Sequence, residues 1–186
     1  MLKIVQAPNT VLSQPAKPII KIDKAIQQLI REMKETLINA KDPEGVGLAA
    51  PQIDKSVQLF IIRQTPRSEV LVFINPQIEE FIKEDTPEEK NPEEKSEKKV
   101  QLEGCLSLFS IWGVVNRHPG VVLSYQDETG QRHRKKFSGF IATIIQHEYD
   151  HLQGILFPKR VLEQKNQLYK SKKDEKGETE FEEIKL

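Results

Sequence analysis

The stretch TIIQHEYDHLQG, residues 143–154, contains two histidines four residues apart with a glutamate between them. Residues at this spacing lie one turn apart on the same face of an α-helix, so His147 and His151 can point toward a common atom. Glu148 adjoins the first histidine, and its carboxylate can reach a water molecule held there. Two imidazoles and a carboxylate on one helix are typical of a metal-dependent hydrolase, so the fold has to bring a third ligand to this helix.

The residues on either side of the histidines predict where this helix begins and ends. Ser138 is suited to cap its first turn, and Gly154 is suited to end it in a left-handed conformation. The predicted apolar face consists of Phe140, Ile141, Ile144, Ile145 and Leu152. The alternative is that both histidines are structural and hydrogen bonded to the backbone. The apolar surroundings favour a metal site, because an unpaired polar group is costly there.

Length and composition exclude several classes of protein. A chain of 186 residues suits one domain with a single core. Because 28 basic residues balance 28 acidic ones, no bulk attraction to nucleic acid or to an anionic membrane is expected. The N-terminus MLKIVQAPNT lacks the apolar run of a signal peptide. No segment is long and apolar enough to span a bilayer. The single cysteine cannot form an internal disulfide. We therefore expect a soluble, cytoplasmic protein without membrane contact.

Apolar periodicity predicts one long helix and several strands. Residues 21–42 have the pattern of an amphipathic helix of about five to six turns. Residues 56–64 and 69–82 are predicted strands, and residues 121–137 a hairpin that turns near Thr129 and Gly130. With the histidine helix, these elements predict an α+β fold in which mainly antiparallel strands pack around that helix.

Two charged segments interrupt or follow this domain, which we place at residues 1–160. Residues 84–99 are nearly all charged, so we expect a flexible loop insertion. Residues 161–186 are predicted to form a charged C-terminal helix or tail. Residues 159–173 contain six lysines and arginines against one glutamate. This basic stretch is either an ordinary solvated helix or a site of transient, salt-sensitive contact with the ribosome.

The third metal ligand has two kinds of candidate. Cys105, the only cysteine, lies in the apolar stretch LEGCLSLF, and a thiolate with two imidazoles suits a tetrahedral site that has one open position. A lone cysteine is equally compatible with a small buried hydrophobic residue. Glu163 or Glu175 would make the site similar to that of a zinc peptidase, although both lie in a lysine-rich and weakly apolar region.

The stretch GVGLAAPQ, residues 45–52, matches a dinucleotide-binding fingerprint by letter. That fingerprint follows a strand and opens a helix, whereas here a helix precedes it and Pro51 follows it. The glycines could simply relieve strain in a turn. Alternatively, small residues let the backbone pass close to a substrate, and Gln52 offers an amide N–H to an oxyanion.

Three stretches, GVGLAAPQ, EGCLS and QHEYDHLQG, resemble the three motifs of the peptide deformylases, in the order of that family. The resemblance covers about residues 1–160 and implies an α+β fold with the histidine helix at its centre. It also implies removal of the formyl group from the N-formylmethionine of nascent polypeptides. The departures include Phe109, where a proline is common, and the stretch SIWGVV, both expected to border the substrate groove. Trp112 would either stack on a peptide or pack at an edge.

The resemblance implies roles for eleven residues. One divalent metal ion, ferrous iron by preference but also zinc, nickel or cobalt, would be bound by Cys105, His147 and His151. The general base and later proton donor would be Glu148. The oxyanion would be held by Gln52 and the backbone N–H of Leu106. Pairing with the substrate backbone would involve Gly45, Val46 and Gly47. A methionine pocket would be lined by Phe140 and Ile144. Arg117 matches a basic position of the family.

The alternative functions are that of a zinc peptidase and that of a module that binds the ribosome or a protein through its charged segments.

Overall fold

The computed structural model describes residues 1–41, 44–83, 102–173 and 177–185. Within these ranges the α-helices are α1 (Lys24–Asn39), α2 (Phe140–Leu152) and α3 (Phe157–Glu163). Short 3-10 helices cover Thr10–Ser13 and Ala50–Ile53. The strands are β1 (Gly47–Ala49), β2 (Leu59–Ile62), β3 (Leu71–Ile82), β4 (Leu102–Cys105), β5 (Leu108–Val114), β6 (Gly120–Gln126), β7 (Arg132–Ser138), β8 (Leu168–Lys173) and β9 (Thr179–Glu183).

These strands form two antiparallel sheets, which we call the first and the second sheet. The first has the order β1-β2-β3-β6-β7, and the second has the order β4-β5-β8-β9. The predicted strands at 56–64 and 69–82 and the predicted hairpin at 121–137 are β2, β3 and the β6–β7 pair. The predicted α+β class with mainly antiparallel strands is therefore confirmed.

The first sheet is covered by a helix on each face. Phe60 and Ile62 of β2 pack in one apolar cluster with Ile145 of α2. Their neighbours Leu59 and Ile61 belong to a second cluster that includes Met33 and other residues of α1. Alternate residues of a strand point to opposite faces, which accounts for this division. Burying each such side chain contributes about 1.5–3 kcal/mol, and α2 is thereby held against the sheet.

The predicted long helix and the predicted histidine helix both occur, but their first residues differ from those predicted. The Asp23 carboxylate accepts hydrogen bonds from the N–H groups of Ala25 and Ile26, so α1 begins at Lys24 and has sixteen residues. The predicted five to six turns were too long. Ser138 does not cap α2: it is the last residue of β7, and Gly139, with φ of 65°, makes the turn into the helix.

Gly154 ends the histidine helix as predicted. Its φ is 70°, and its N–H donates to the carbonyl of His151 at 3.1 Å. A Cβ at this position would also lie 2.7 Å from the backbone of Ser13 and Gln14. The left-handed conformation and the close approach of the N-terminal segment both require glycine here.

The predicted basic helix at the C-terminus is wrong beyond Glu163. Residues 168–173 form β8, which pairs with β5 on one side and with β9 on the other. Leu168 is buried against Phe157 and Val161, and Lys170 lies opposite Glu182 in the β8–β9 register. An extended strand satisfies both requirements, because it can bury Leu168 while its lysines stay solvated.

The predicted loop at 84–99 lies outside the described residues. No helix in the described ranges is long and apolar enough to cross a membrane.

Candidate active site

The second sheet brings Cys105 to the histidine helix. Cys105 is the last residue of β4, and its ligand atom lies within 4.8 Å of those of His147 and His151. All three side chains are almost completely buried. Glu163, the alternative third ligand, is half-exposed and pairs with Arg160 at 3.1 Å, and Glu175 lies outside the described residues. Of the candidates weighed from the sequence, the fold brings the cysteine to the two histidines.

The ring of His147 is oriented by a buried carboxylate. Its Nδ1 donates to Glu103 Oε1 at 2.7 Å, which leaves the lone pair of Nε2 for a cation. Glu103 also accepts two hydrogen bonds from Arg117, at 2.7 and 3.1 Å. Burial alone would raise the pKa of Glu103, but the hydrogen bonds and charges of His147 and Arg117 lower it to about 2. The carboxylate is therefore ionised when it holds the imidazole.

The ionic contacts continue behind Glu103. Arg117 Nη1 donates to Asp150 Oδ2 at 2.6 Å, and Arg160 Nη2 donates to Asp150 Oδ1 at 2.7 Å. We call Glu103, Arg117, Asp150 and Arg160 the supporting ion network. None of these four residues was predicted from the sequence to support the ligands. Glu103 could have been found, because it is two residues before Cys105 in a strand and so points to the same face.

The sulfur of Cys105 lies among hydrogen-bond donors. The N–H of Ser107 lies 3.4 Å from Sγ, and Gln52 Nε2 lies 3.5 Å from it. His151 Nε2 lies 3.3 Å from the same sulfur. A metal at this position would bind the sulfur as a thiolate.

The electrostatics of the site favour a cation. Burial opposes protonation of His147, but Cys105 and Glu103 raise its pKa well above the usual value. The negative charge around His147 would stabilise a divalent ion as it stabilises a proton. Burial, with the charge of His147, lowers the pKa of His151 well below the usual value and keeps this imidazole neutral, as a ligand must be.

Two buried polar atoms at the site lack hydrogen-bond partners within the described part of the chain. Among the described residues, neither Glu148 Oε2 nor His151 Nδ1 has a hydrogen-bond partner. A buried unpaired polar atom costs about 1–3 kcal/mol, so Glu148 is held beside the ligands at a cost in stability. One sulfur and two imidazole nitrogens make a three-ligand site with one open position, and Glu148 can accept a proton from a water molecule there.

Glu148 is held tightly against β1. It is 3% exposed, and burial raises its pKa to about 7. A Cβ on Gly47 would collide with the Glu148 carboxylate, so only glycine is compatible with this approach. The requirement for a glycine in GVGLAAPQ is therefore explained at Gly47 by contact with the candidate base.

The two predicted oxyanion donors flank the ligands. Gln52 Oε1 accepts from the N–H of Ala49 at 2.8 Å, which leaves Nε2 directed toward Cys105 and toward Ser107 Oγ at 3.2 Å. Leu106 occupies the turn directly after Cys105, and its carbonyl accepts from Gln6 Nε2 at 2.9 Å. Gln52 and Leu106 both line the groove that leads to the ligands.

This groove has a volume of about 530 Å³. The predicted substrate-binding residues that line it are Val46, Gly47, Phe140 and Ile144. Gly45 does not line the groove. Its N–H donates to the Ala40 carbonyl at 3.0 Å, and its carbonyl accepts from Arg63 Nε at 2.7 Å. Phe109 is 75% exposed and, contrary to expectation, is not among the residues that line the groove. Trp112 does line the groove.

The family model for polypeptide deformylase matches residues 1–167. A peptide deformylase of Christiangramia forsetii is 37% identical to the chain, with 92% of this chain and 87% of that protein covered. Peptide deformylase 1 of Bacillus cereus is 35% identical, with 87% of this chain and 92% of that protein covered.

Solved structures are similar as well. A peptide deformylase from Synechococcus elongatus in complex with actinonin is 36% identical with a TM-score of 0.71, covering 86% of this chain and 78% of that one. The peptide deformylase from Thermotoga maritima is 32% identical with a TM-score of 0.72, covering 86% of this chain and 97% of that one. The fold and site define a candidate metal centre with an adjacent carboxylate. The chain belongs to the polypeptide deformylase family.

Proposed function

We propose that the protein is a metal-dependent peptide deformylase that hydrolyses the N-formyl group of N-formylmethionine at the start of nascent polypeptides. The observation that carries this proposal is the buried group of Cys105, His147 and His151 beside the carboxylate of Glu148. Membership in the deformylase family supports the choice of substrate. Because the substrate would be a newly made chain, we place the activity in the cytoplasm.

Cys105, His147 and His151 would hold one divalent ion, for which we propose ferrous iron, with zinc, nickel or cobalt as alternatives that the same ligands accept. When bound, such an ion supplies Lewis-acid chemistry, because it lowers the pKa of a water molecule and polarises a carbonyl group. Glu103 holds His147 in the tautomer that this ligation requires, through the 2.7 Å hydrogen bond to Nδ1.

Glu148 would carry the proton through the reaction. Its carboxylate accepts a proton from the attacking water, whose oxygen forms a bond to the formyl carbon. Gln52 Nε2 and the N–H of Leu106 donate to the formyl oxygen as it gains negative charge. The C–N bond then breaks, Glu148 donates its proton to the leaving amine, and formate is released. A pKa of about 7 suits a group that first accepts and then donates a proton at neutral pH.

The edge of the first sheet would bind the peptide backbone. β1 pairs with β2 on one side only, and it is the terminal strand of its sheet. An extended peptide can add to such an edge through main-chain hydrogen bonds. Gly47 and the N–H of Val46 would supply them, since the Val46 carbonyl already accepts from the N–H of Arg63 at 2.8 Å. Gly45 would serve packing, because both its N–H and its carbonyl are already bonded. Phe140 and Ile144 would contact the methionine side chain.

Formate release tests the proposed reaction. The iron-loaded protein, kept anaerobic, is expected to release formate from formyl-Met-Ala-Ser and to leave the internal peptide bonds intact. Glu163→Gln serves as the matched control for substitutions of Glu148, because it alters a half-exposed glutamate that is paired with Arg160. Internal cleavage would make the protein a peptidase. Formation of neither product would make it a binding module, and either result contradicts the proposal.

A transient ribosome contact through residues 159–173 is part of the same proposal. The basic residues of β8 are partly countered by β9, since Lys172 pairs with Glu182 at 3.5 Å. Lys159 and Lys165 precede β8 and would make the phosphate contacts, whereas Arg160 is already paired with Asp150 and Glu163. Co-sedimentation with ribosomes is expected at low salt and should weaken steeply as salt rises, because counterions are released on binding. Absence of co-sedimentation at low salt would contradict the contact.

A further inference from the structure

The chain continues beyond the part that the family model matches. That match ends at residue 167, and β8 and β9 follow as a hairpin. We call β8, β9 and Ile184 the C-terminal hairpin. It extends the second sheet, the one that carries Cys105, and β8 pairs directly with β5. Trp112 of β5 lies opposite Tyr169 in this register.

The C-terminal hairpin holds the indole ring of Trp112 at two points. The indole Nε1–H donates to Ser171 Oγ of β8 at 3.1 Å. Phe181 of β9 contacts the ring edge-to-face, with centroids 5.8 Å apart and planes at 85°. A third constraint comes from β4, because a Cβ on Gly104 would lie 2.7 Å from the ring. Hydrogen bonding and edge-to-face packing together fix the orientation of the ring.

The C-terminal hairpin is itself anchored to the core. Leu168 is buried with Phe157 and Val161. At the other end, the N–H of Ile184 donates to the Leu168 carbonyl at 2.9 Å, and Gln167 Nε2 donates to the Ile184 carbonyl at 2.9 Å. These contacts fix both ends of the hairpin, so its hold on Trp112 is part of the fold.

Trp112 contributes a large apolar surface to the groove. It lines the groove together with Leu102 and Val115, whereas the residues proposed for methionine, Phe140 and Ile144, belong to α2. Trp112 is therefore a groove residue that the proposed reaction does not use. Gly104, under the ring, directly precedes Cys105, and Trp112 lines the same groove as His147 and Glu148.

We infer that the C-terminal hairpin positions Trp112 to contact the peptide beyond formylmethionine and to favour a large apolar side chain at the second or third residue. This inference rests on the proposed deformylation for its substrate. Trp112 would be the specificity-determining residue, and Ser171 and Phe181 would be positioning residues that act through it. An aromatic pair contributes about 0.5–1.5 kcal/mol beyond area burial, so we expect a preference of about two- to tenfold.

Binding of product peptides tests the contact without requiring turnover. Trp112 is the only tryptophan of the chain, so intrinsic tryptophan emission reports on this side chain alone. The metal-loaded protein is titrated with Met-Ala-Ala, Met-Phe-Ala and Met-Ala-Phe. At least one phenylalanine peptide is expected to change the emission and to bind about two- to tenfold more tightly than Met-Ala-Ala. Equal affinities for all three, or unchanged emission at saturation, would overturn the inference even if formate release is normal.

Kinetics of positioning variants test the role of the C-terminal hairpin. Ser171→Ala and Phe181→Ala should reduce the preference for phenylalanine peptides through KM and leave kcat for formyl-Met-Ala unchanged. Phe109→Ala is the matched control, because it removes an exposed aromatic ring of the same strand as Trp112. Ser171→Ala deletes only a hydroxyl group, so it tests positioning without loss of packing. If both variants keep the full preference, the C-terminal hairpin does not position Trp112.

Discussion

The metal-ligand region and the C-terminal hairpin both contain ion pairs, but the two sets of pairs differ in burial. Arg117, Glu103 and Asp150 have side chains that are 7–11% exposed, and their contacts measure 2.6–2.7 Å. Lys172 and Glu182 of the C-terminal hairpin are 56% and 68% exposed and lie 3.5 Å apart. Solvent screens the second pair and cannot screen the first. The same residue types should therefore have large effects at the site and small ones at the hairpin.

The largest effect is expected for Glu148→Gln. The amide cannot accept the proton, so kcat should fall by about two to four orders of magnitude while metal content stays near that of the wild type. Formate release and metal analysis on the same preparation check both parts. Retention of most activity would remove Glu148 from the mechanism, and a parallel loss of metal would make its role structural.

Arg117→Ala should produce the largest loss of stability. The substitution leaves Glu103 without its guanidinium partner and removes one partner of Asp150, and breaking a buried pair typically costs about 3–5 kcal/mol. Denaturant unfolding of the variant and the wild type measures the difference. A loss below about 1 kcal/mol, the range of exposed pairs, would mean that the supporting ion network is not a buried structure.

The contribution of Glu103 to stability should be measurable from its dependence on pH. Its pKa is lowered to about 2 in the folded protein, so the stability it contributes is present above its unfolded pKa and is lost as pH falls toward 2. Metal is removed from both proteins. As pH falls from about 5 to about 3, the free energy of unfolding of the wild type should then decrease by about 2 kcal/mol more than that of Glu103→Gln. Parallel stability curves for the two proteins would contradict the lowered pKa.

The smallest effect is expected for Lys172→Ala. Its pair with Glu182 is exposed, so the free energy of unfolding should change by less than about 0.5 kcal/mol. The same unfolding measurement as for Arg117→Ala gives the direct contrast. A change comparable to that of Arg117→Ala would remove the distinction between the two regions.

The sequence predicted the parts of the site that local chemistry determines. The spacing of His147 and His151 fixes both on one helical face, and Cys105 is the only cysteine available to join them. Arg117 and Asp150 are 33 residues apart, and no local pattern indicates that they meet. That contact depends on how the segment between β5 and β6 lies against α2, which is a property of the tertiary structure.

The C-terminal region illustrates the same limit for secondary structure. Its lysines suggested a helix, but a charged sequence without clear periodicity is compatible with helix, strand or tail. The choice is made by long-range pairing, because β8 pairs with β5, whose partner residues lie more than fifty positions earlier. Ser138 failed as a cap for a related reason, since its pairing with Gly120 keeps it in β7.

The ligand set is tested most directly by X-ray absorption of the zinc-loaded protein. Cys105, His147 and His151 predict one sulfur at about 2.3 Å and two imidazole nitrogens at about 2.0–2.1 Å from the metal. In Cys105→Ser, the sulfur shell should disappear and metal retention should weaken, because a hydroxyl replaces the thiolate. A wild-type spectrum without a sulfur shell, or a Cys105→Ser variant that holds zinc as tightly as wild type, would contradict the proposed metal centre.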